Sequence, residues 1–355
     1  MAEFGVYVHI PFCRSRCDYC AFATWTDRGH LVDAYVDAVV TDIRRAVADG
    51  MPDADTVFFG GGTPTLIDPA LIARTIEAIP LSMDPEITVE CNPDDVTPEL
   101  MRTYASAGVN RVSIGVQSMV THVLSVLGRH HDQSNVEIAV ECARSAGIER
   151  VNLDLIYGSV GESLDDWRTT VTAALALRPT HVSAYGLTVE AGTPLAEDPA
   201  RHPDDDEQAD KYIAADDLLT GAGLVNYEIS NWALPGHECR HNMVYWDQGN
   251  YRGFGCAAHS HDSGHRWWNV RTPDRYIDLV AAGESVMAAD EHLEPSVREF
   301  ERLELSLRTR RGVPASTLDT ESGVLDGLVE VTDGRAVLTR NGRLLANEIS
   351  TRLNP

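Results

Sequence analysis

Apolar positions in the first half of the chain alternate between two rhythms. Short runs have the spacing of strands, and longer stretches are spaced three and four apart, as on one face of a helix. The first run, Phe4 to Ile10, predicts a strand, and Leu31 to Val47, closed by Gly50 and Pro52, predicts a helix. Further strands are predicted at Thr56 to Phe59, Ile87 to Cys91, Arg111 to Gly115, Val151 to Ile156 and His181 to Leu187. Helical spacing between them covers Ala70 to Ile79, Pro98 to Ala107, Ser134 to Ala146 and Leu164 to Leu177, with turn glycines at Gly108 and Gly147. Six strands separated by helices read as parallel, because each helix supplies a right-handed crossover. Eight units close a barrel, so periodicity here predicts a parallel α/β sheet without choosing an open from a curved form. Ligands belong at the C-terminal strand ends in both forms.

Beyond Glu190 the rhythm changes. An acidic, proline-bearing connection reaches about Asp206, and a predicted helix continues to Thr220. From Tyr227 to Arg266 the chain is rich in His, Trp, Tyr, Asn and Gly and shows little periodicity, which predicts a long irregular stretch of the kind that carries function. From about Asp290 a helical pattern runs through Leu303 and Leu307, then a hairpin with an Asp333-Gly334 turn spans Leu328 to Leu338, and a last helix follows.

The 355 residues, 43% hydrophobic and 23% charged, suffice for one large core and a small second unit. Against 29 basic residues stand 54 acidic ones, and the net charge of −25 argues against an electrostatic nucleic-acid or anionic-membrane surface. Lys211 is the single lysine, which nearly excludes Schiff-base chemistry. Met1 to Phe4 runs straight into the first strand with no room for a cleavable signal, and no apolar run approaches membrane-spanning length. A cytoplasmic protein is expected. Seven cysteines without a small-domain framework also fit a reducing compartment.

Three of those cysteines fall together in Tyr7-Val8-His9-Ile10-Pro11-Phe12-Cys13-Arg14-Ser15-Arg16-Cys17-Asp18-Tyr19-Cys20-Ala21-Phe22. A mononuclear zinc site would want a fourth ligand, and no cysteine or histidine follows at finger-like spacing before His30. An iron–sulfur cubane held by three thiolates, with one iron open to a further ligand, fits better. The spacing, with the Tyr-x-His-x-Pro-Phe-Cys approach and Cys-x-Phe exit, resembles the radical S-adenosylmethionine (SAM) superfamily. More narrowly it resembles the HemW haem-chaperone family and its sister, the oxygen-independent coproporphyrinogen III oxidases. The similarity continues to about Asn269 and more loosely to the C-terminus.

The resemblance implies a partial, TIM-like (β/α)6 barrel over residues 1–230, a haem-associated segment over 231–285 and a small winged-helix-like α+β domain over 286–355. It implies a 4Fe-4S cluster on Cys13, Cys17 and Cys20, and SAM on Tyr7, Gly61, Gly62, Thr63, Glu90, Gln117, Arg129 and Asp154. Family precedent includes a second SAM, with Tyr19 beside it. The residue types suit these roles. Gly60-Gly61-Gly62-Thr63-Pro64 bares its backbone to a ligand, Glu90, Gln117 and Asp154 end strands, and the planar fork of Arg129 suits a carboxylate or propionate. The implied chemistry is one-electron cleavage of a carbon–sulfur bond of SAM, fed by a donor such as flavodoxin or ferredoxin. Gly158-Ser159-Val160-Gly161 departs from the Gly-Leu-Pro-Gly usual in the family.

Two functions follow from the resemblance: hydrogen abstraction from a substrate, as in coproporphyrinogen decarboxylation, or a haem carrier serving apo-haemoproteins such as respiratory oxidases. Three features favour the carrier. Phe22 stands where the oxidase branch has a fourth cysteine, Tyr7 lies where that branch is preceded by an extension, and His241-Asn242-Met243-Val244-Tyr245-Trp246 matches the haem-associated block of the family. An imidazole ligates haem iron and an aromatic pair covers a macrocycle. His241 is therefore the expected ligand, with Asn242, Tyr245 and Trp246 beside it, and His237, His259, His261, Cys239 and Cys256 are unranked alternatives. A winged helix raises DNA binding, but acidity and the lack of a basic stripe favour packing or partner docking.

Overall fold

The computed structural model describes residues 3–319 and 323–354, so Met1 and Ala2, at the head of the expected run into the first strand, lie outside it. Six strands carry the core: β1 (Phe4–Ile10), β2 (Ala54–Gly61), β3 (Leu81–Cys91), β4 (Arg111–Gln117), β5 (Arg150–Tyr157) and β6 (His181–Gly186). They pair in sequence order and all are parallel. The crossovers are α1 (Val32–Ala48), α2 (Pro69–Glu77), α3 (Pro98–Ser106), α4 (Thr121–Val126), α5 (Gln133–Ser145) and α6 (Leu164–Ala176). Helix α4 was not expected from the sequence. Asp68 and Thr97 cap α2 and α3, and Asp132 and Ser163 form capping boxes on α5 and α6. Gly108 and Gly147, at φ +97° and +87°, turn the chain out of α3 and α5 into the next strands.

Strand alternation sorts residues between the two faces of this sheet. Val6, Val8, Ile10, Val57, Phe59, Val89, Val112, Ile114, Leu153, Leu155 and Val182 pack with helix residues such as Tyr35, Ile72, Met101 and Val140 in the main core. The opposite face is polar and aromatic, carrying Tyr7, Phe58, Glu86, Glu90, Arg111, Ser113, Asn152, Asp154 and His181. A chain of buried bonds ties it together: His181 bonds Asn152 Oδ1 at 2.6 Å, and the Asn152 amide donates to Ser113, Asp154 and Ser183 at 2.6–3.0 Å.

The sheet continues past these six strands at both edges. After α7 (Pro194–Glu197) and α8 (Asp205–Gly221), β7 (Val225–Glu228) and β8 (Asn231–Ala233) form an antiparallel pair, with β8 lying against β6. Helix α9 (Arg240–Trp246) then crosses to the other side, where β9 (Asn250–Phe254) pairs parallel with β1. The strands β10 (His259–Asp262), β11 (His265–Asn269) and, beyond α10 (Pro273–Ala282), β12 (Met287–His292) add on antiparallel. Among the described residues the result is one sheet of twelve strands whose edges are β12 and β7, the open order of a partial barrel. The expectation of an irregular stretch from Tyr227 to Arg266 is thereby corrected: five short strands and a helix occupy it.

Helix α11 (Pro295–Leu307), the small sheet β13 (Val313–Pro314), β14 (Val329–Thr332) and β15 (Arg335–Leu338), and helices α12 (Arg340–Leu344) and α13 (Ala346–Ser350) share a separate apolar core built on Leu303, Leu307, Val313, Ala336, Leu338 and Ile349. The hairpin turn is at Asp333-Gly334, both left-handed at φ +52° and +74°, as a two-residue turn requires. Since β12 pairs with β11, the large sheet runs past residue 286 and this small unit starts at α11.

Candidate functional site

At the C-terminal end of β1 the chain leaves the sheet for the cysteine loop. The loop is closed at its base by Trp25 N–H donating to Pro11 C=O (2.8 Å) and Cys13 N–H to Trp25 C=O (3.1 Å). Within it, Cys20 N–H donates to Cys17 C=O (3.2 Å), and the Arg16 guanidinium donates to the Cys20 carbonyl at 3.0–3.2 Å. Cys13, Cys17 and Cys20 are free and part-exposed, while Cys91, Cys142, Cys239 and Cys256 are buried elsewhere. The Thr63 hydroxyl donates to Cys13 Sγ at 3.7 Å, and Arg129 Nη1 lies 3.9 Å from Cys17 Sγ. Burial pushes the Cys13 and Cys20 thiols up, and the proximity of the other sulfurs adds to this. Three free sulfurs on one loop, with a hydroxyl beside Cys13 and a guanidinium beside Cys17, form a donor set that fits a thiolate-held iron–sulfur cluster.

Below the loop, Tyr7 OH bonds His9 Nδ1 at 3.0 Å, and His9 Nε2 donates to Ala23 C=O at 2.9 Å. Burial lowers the His9 pKa, which keeps the ring neutral and able to relay these two bonds. The glycine turn serves this arrangement. Gly61 has φ +107°, and a Cβ there would stand 2.2 Å from the His9 ring. A Cβ on Gly62 would meet the Ile10 and Phe12 carbonyls at 2.7 Å, where Gly62 N–H and Thr63 N–H donate to those same oxygens. The missing side chains thus let the turn close on β1 and Thr63 reach Cys13.

On the neighbouring strand ends, Glu90 accepts from Gly61 N–H at 3.1 Å. Burial, reinforced by the Asp154 charge, pushes the Glu90 carboxyl up to about 8. Burial also raises Asp154, against hydrogen bonds from Ser113 (2.7 Å) and Asn152 (2.8 Å) that favour its ionised form. Arg129 Nη2 donates to Asn92 Oδ1 (2.8 Å) and Gly115 C=O (3.0 Å), which points the fork at the mouth. Gln117 sits at a bulge with φ +63° and lays its amide over Gly115. Tyr19 packs against a small apolar cluster of Val123, Leu127, Ile156, Leu187 and Leu195. The structure therefore gathers the cysteines, Thr63, Glu90, Gln117, Arg129 and Asp154 at one mouth, with Tyr7 one layer below. The sequence assigned no role to His9, although it stands inside the cysteine-bearing stretch, or to Asn92, which directly follows β3.

The haem-associated block lies elsewhere. Gly5, near the start of β1, is the strand residue beside the His241 ring, so α9 packs under the end of the barrel opposite the cysteines. His241 is 1% exposed, stacks on Phe58, and bonds Thr56 Oγ1 and Tyr245 OH, each at 2.8 Å, through its two nitrogens. The expectation of His241 as haem ligand finds no support in this geometry, because no ring nitrogen is left for iron. His261 is likewise engaged at both nitrogens, by Gly249 C=O and Gly264 N–H, and Cys239 and Cys256 are buried. His237 is half-buried, and His259 is exposed against Trp268. Trp246, the last residue of the block, opens onto a groove of about 770 Å³ between α9 and the C-terminal unit, lined also by Asp247, Arg302, Arg310, Arg311 and Arg335.

A family model of the radical SAM superfamily matches residues 7–174. A Mycobacterium tuberculosis protein named haem chaperone HemW is 40% identical over 98% of this chain and 93% of its own. The chain belongs to the HemW family. The Bacillus subtilis HemW is 34% identical, with 97% of each chain covered. Among solved structures, Escherichia coli coproporphyrinogen III oxidase, a radical SAM enzyme, superposes with a TM-score of 0.85 at 23% identity over 99% of this chain and 89% of that one. This likeness concerns the fold, and supports the partial radical SAM barrel. Membership of the superfamily implies a 4Fe-4S cluster and SAM, which together supply reductive cleavage of the sulfonium when bound. Among the described residues, no helix is long and apolar enough to cross a membrane.

Proposed function

We propose that this HemW-family chain is a haem chaperone that carries its cluster on Cys13, Cys17 and Cys20, binds SAM across the barrel mouth, and passes haem to apo-haemoproteins such as respiratory oxidases. Glu90, Gln117, Arg129 and Asp154 hold SAM, the glycine turn with Thr63 positions the cluster loop, and Tyr7 orients it through His9. Tyr19 borders a second SAM, and a flavodoxin or ferredoxin supplies electrons.

The observation that carries the haem reading is the groove at Trp246. In a chain of net charge −25, four arginines are gathered beside an aromatic plate; Arg302, Arg310 and Arg311 are paired with Glu299, Glu238 and Asp247, partners that an incoming carboxylate would replace. Haem propionates pair with guanidinium forks, and the indole covers the ring. The groove volume falls within the range of cofactor pockets. Among the described residues no histidine, cysteine or methionine lines it, which in this reading leaves the iron to a ligand from the recipient. In this reading His241, Asn242 and Tyr245 set the position of Trp246.

Anaerobic reconstitution followed by haem titration and a coproporphyrinogen assay tests the proposal. One haem per chain without decarboxylation is expected, and the double variant Arg310→Glu, Arg311→Glu loses that binding. Turnover of coproporphyrinogen would replace the carrier with an oxidase.

A further inference from the structure

Edge strand β12 is exposed at every residue from Met287 to His292, so little apolar burial holds it to the sheet. It does carry a set of ligand-type side chains. His265 on β11 lies directly across from His292, their rings stacked 4.1 Å apart and 9° from parallel. Asp290 Oδ2 is 2.8 Å from His265 Nε2 and 3.8 Å from His292 Nε2, and one ligand atom from each of the three residues lies within 4.8 Å of the others. Strand alternation puts His265 and His292 on the opposite face of the sheet from His259, Arg266 and Trp268, so this cluster is separate from the barrel mouth.

We propose that His265, Asp290 and His292 bind a zinc-class divalent ion that clips β12 to the sheet. Ligand atoms about 2.0–2.1 Å from a tetrahedral zinc stand about 3.3 Å from each other. The separations of 2.8 and 3.8 Å lie on either side of that value; because an imidazole lone pair lies in its ring plane, the stacked rings must also turn out of parallel to share one ion, a rotation open to exposed side chains. Two imidazoles and one carboxylate select zinc or a similar first-row ion over calcium or magnesium, which prefer all-oxygen shells. Three protein ligands leave the fourth position to water. Arg266 is paired with Glu291 at 2.7 Å and Glu301 at 3.0 Å, which neutralises the nearest guanidinium on the same hairpin. Three residues beyond His292 the chain enters α11, so an ion here fixes the junction between the barrel and the C-terminal unit.

The test is calorimetric titration of zinc chloride into the full chain. Free thiols of an empty cysteine loop also take zinc, so two forms are compared: the cluster-loaded protein, and the full chain carrying Cys13→Ser, Cys17→Ser and Cys20→Ser. One ion per chain at micromolar affinity or tighter is expected in both. His265→Ala and His292→Ala, both surface changes, each weaken it about tenfold or more, as does the near-isosteric Asp290→Asn. Zinc also slows amide exchange over residues 287–292 in the parent and not in the variants. Absence of saturable binding below about 1 mM overturns the proposal, as does binding that the double variant His265→Ala, His292→Ala leaves unchanged.

Discussion

Replacing His241 by alanine separates a structural histidine from a haem ligand. The change removes a buried ring and strands two hydroxyls, Thr56 Oγ1 and Tyr245 OH, that now bond it at 2.8 Å. Each unsatisfied buried group costs about 1–2 kcal/mol, and the cavity against Phe58 adds about 1–2 kcal/mol, for a loss of about 3–6 kcal/mol near neutral pH. Protonation gives an independent handle. Burial pushes His241 down to about 3, whereas the unfolded chain titrates it near 6.5. Between those values the unfolded state binds a proton that the native state refuses, so stability rises with pH and acid removes it. At pH 5 the wild type has lost about 2 kcal/mol through this group, a loss that the alanine variant cannot show. Urea denaturation of both proteins at pH 7.5 and pH 5, with haem titration of the folded variant, is the assay. A large gap at pH 7.5 that narrows at pH 5, with haem affinity retained, is expected. A variant as stable as the wild type that no longer binds haem would refute the packing argument and restore His241 as ligand.

Other outcomes follow from the mouth of the barrel. Gly61→Ala sets a Cβ 2.2 Å from His9 at φ +107°, so His9 must leave Ala23 and the loop loses its tether; iron incorporated per chain on reconstitution falls sharply while the folded sheet persists by circular dichroism. Glu90, raised to about 8, holds a proton that the unfolded chain releases near 4.5, so it makes stability fall as pH climbs from about 4.5 to 8. Glu90→Gln removes that slope, and identical pH profiles for the two proteins would show that Glu90 is ionised throughout. Arg129→Lys keeps the charge but not the fork that reaches both Asn92 and Gly115; SAM affinity drops about tenfold by equilibrium dialysis with the cluster still loaded, and an unchanged affinity removes Arg129 from the SAM site.

What the sequence made legible, and what it hid, has a common physical root. Strands β1 to β6 announce themselves because one face of each must be apolar to seat helices, as Val6, Val8 and Ile10 do. Strand β10, His259-Ser260-His261-Asp262, has no apolar residue, and β12 has no buried one, so pairing with neighbours holds them and no hydrophobic rhythm records it. The cysteine spacing exposed the cluster site because three thiols close in sequence are also close in space. His241 is the opposite case. Its environment comes from Thr56 and Phe58 on β2, about half the chain away, and a local motif does not show whether a partner is waiting there. His9 shows the same blindness from the other side: it stood in plain view between Tyr7 and Cys13, yet its role as tether needed Ala23 across the loop and the bare Gly61 beneath. In this fold a histidine's function is decided by what the paired strand presents to each ring nitrogen. Before a polar residue inside a parallel barrel is read as a ligand, the inward positions of the adjacent strands have to be set out in register.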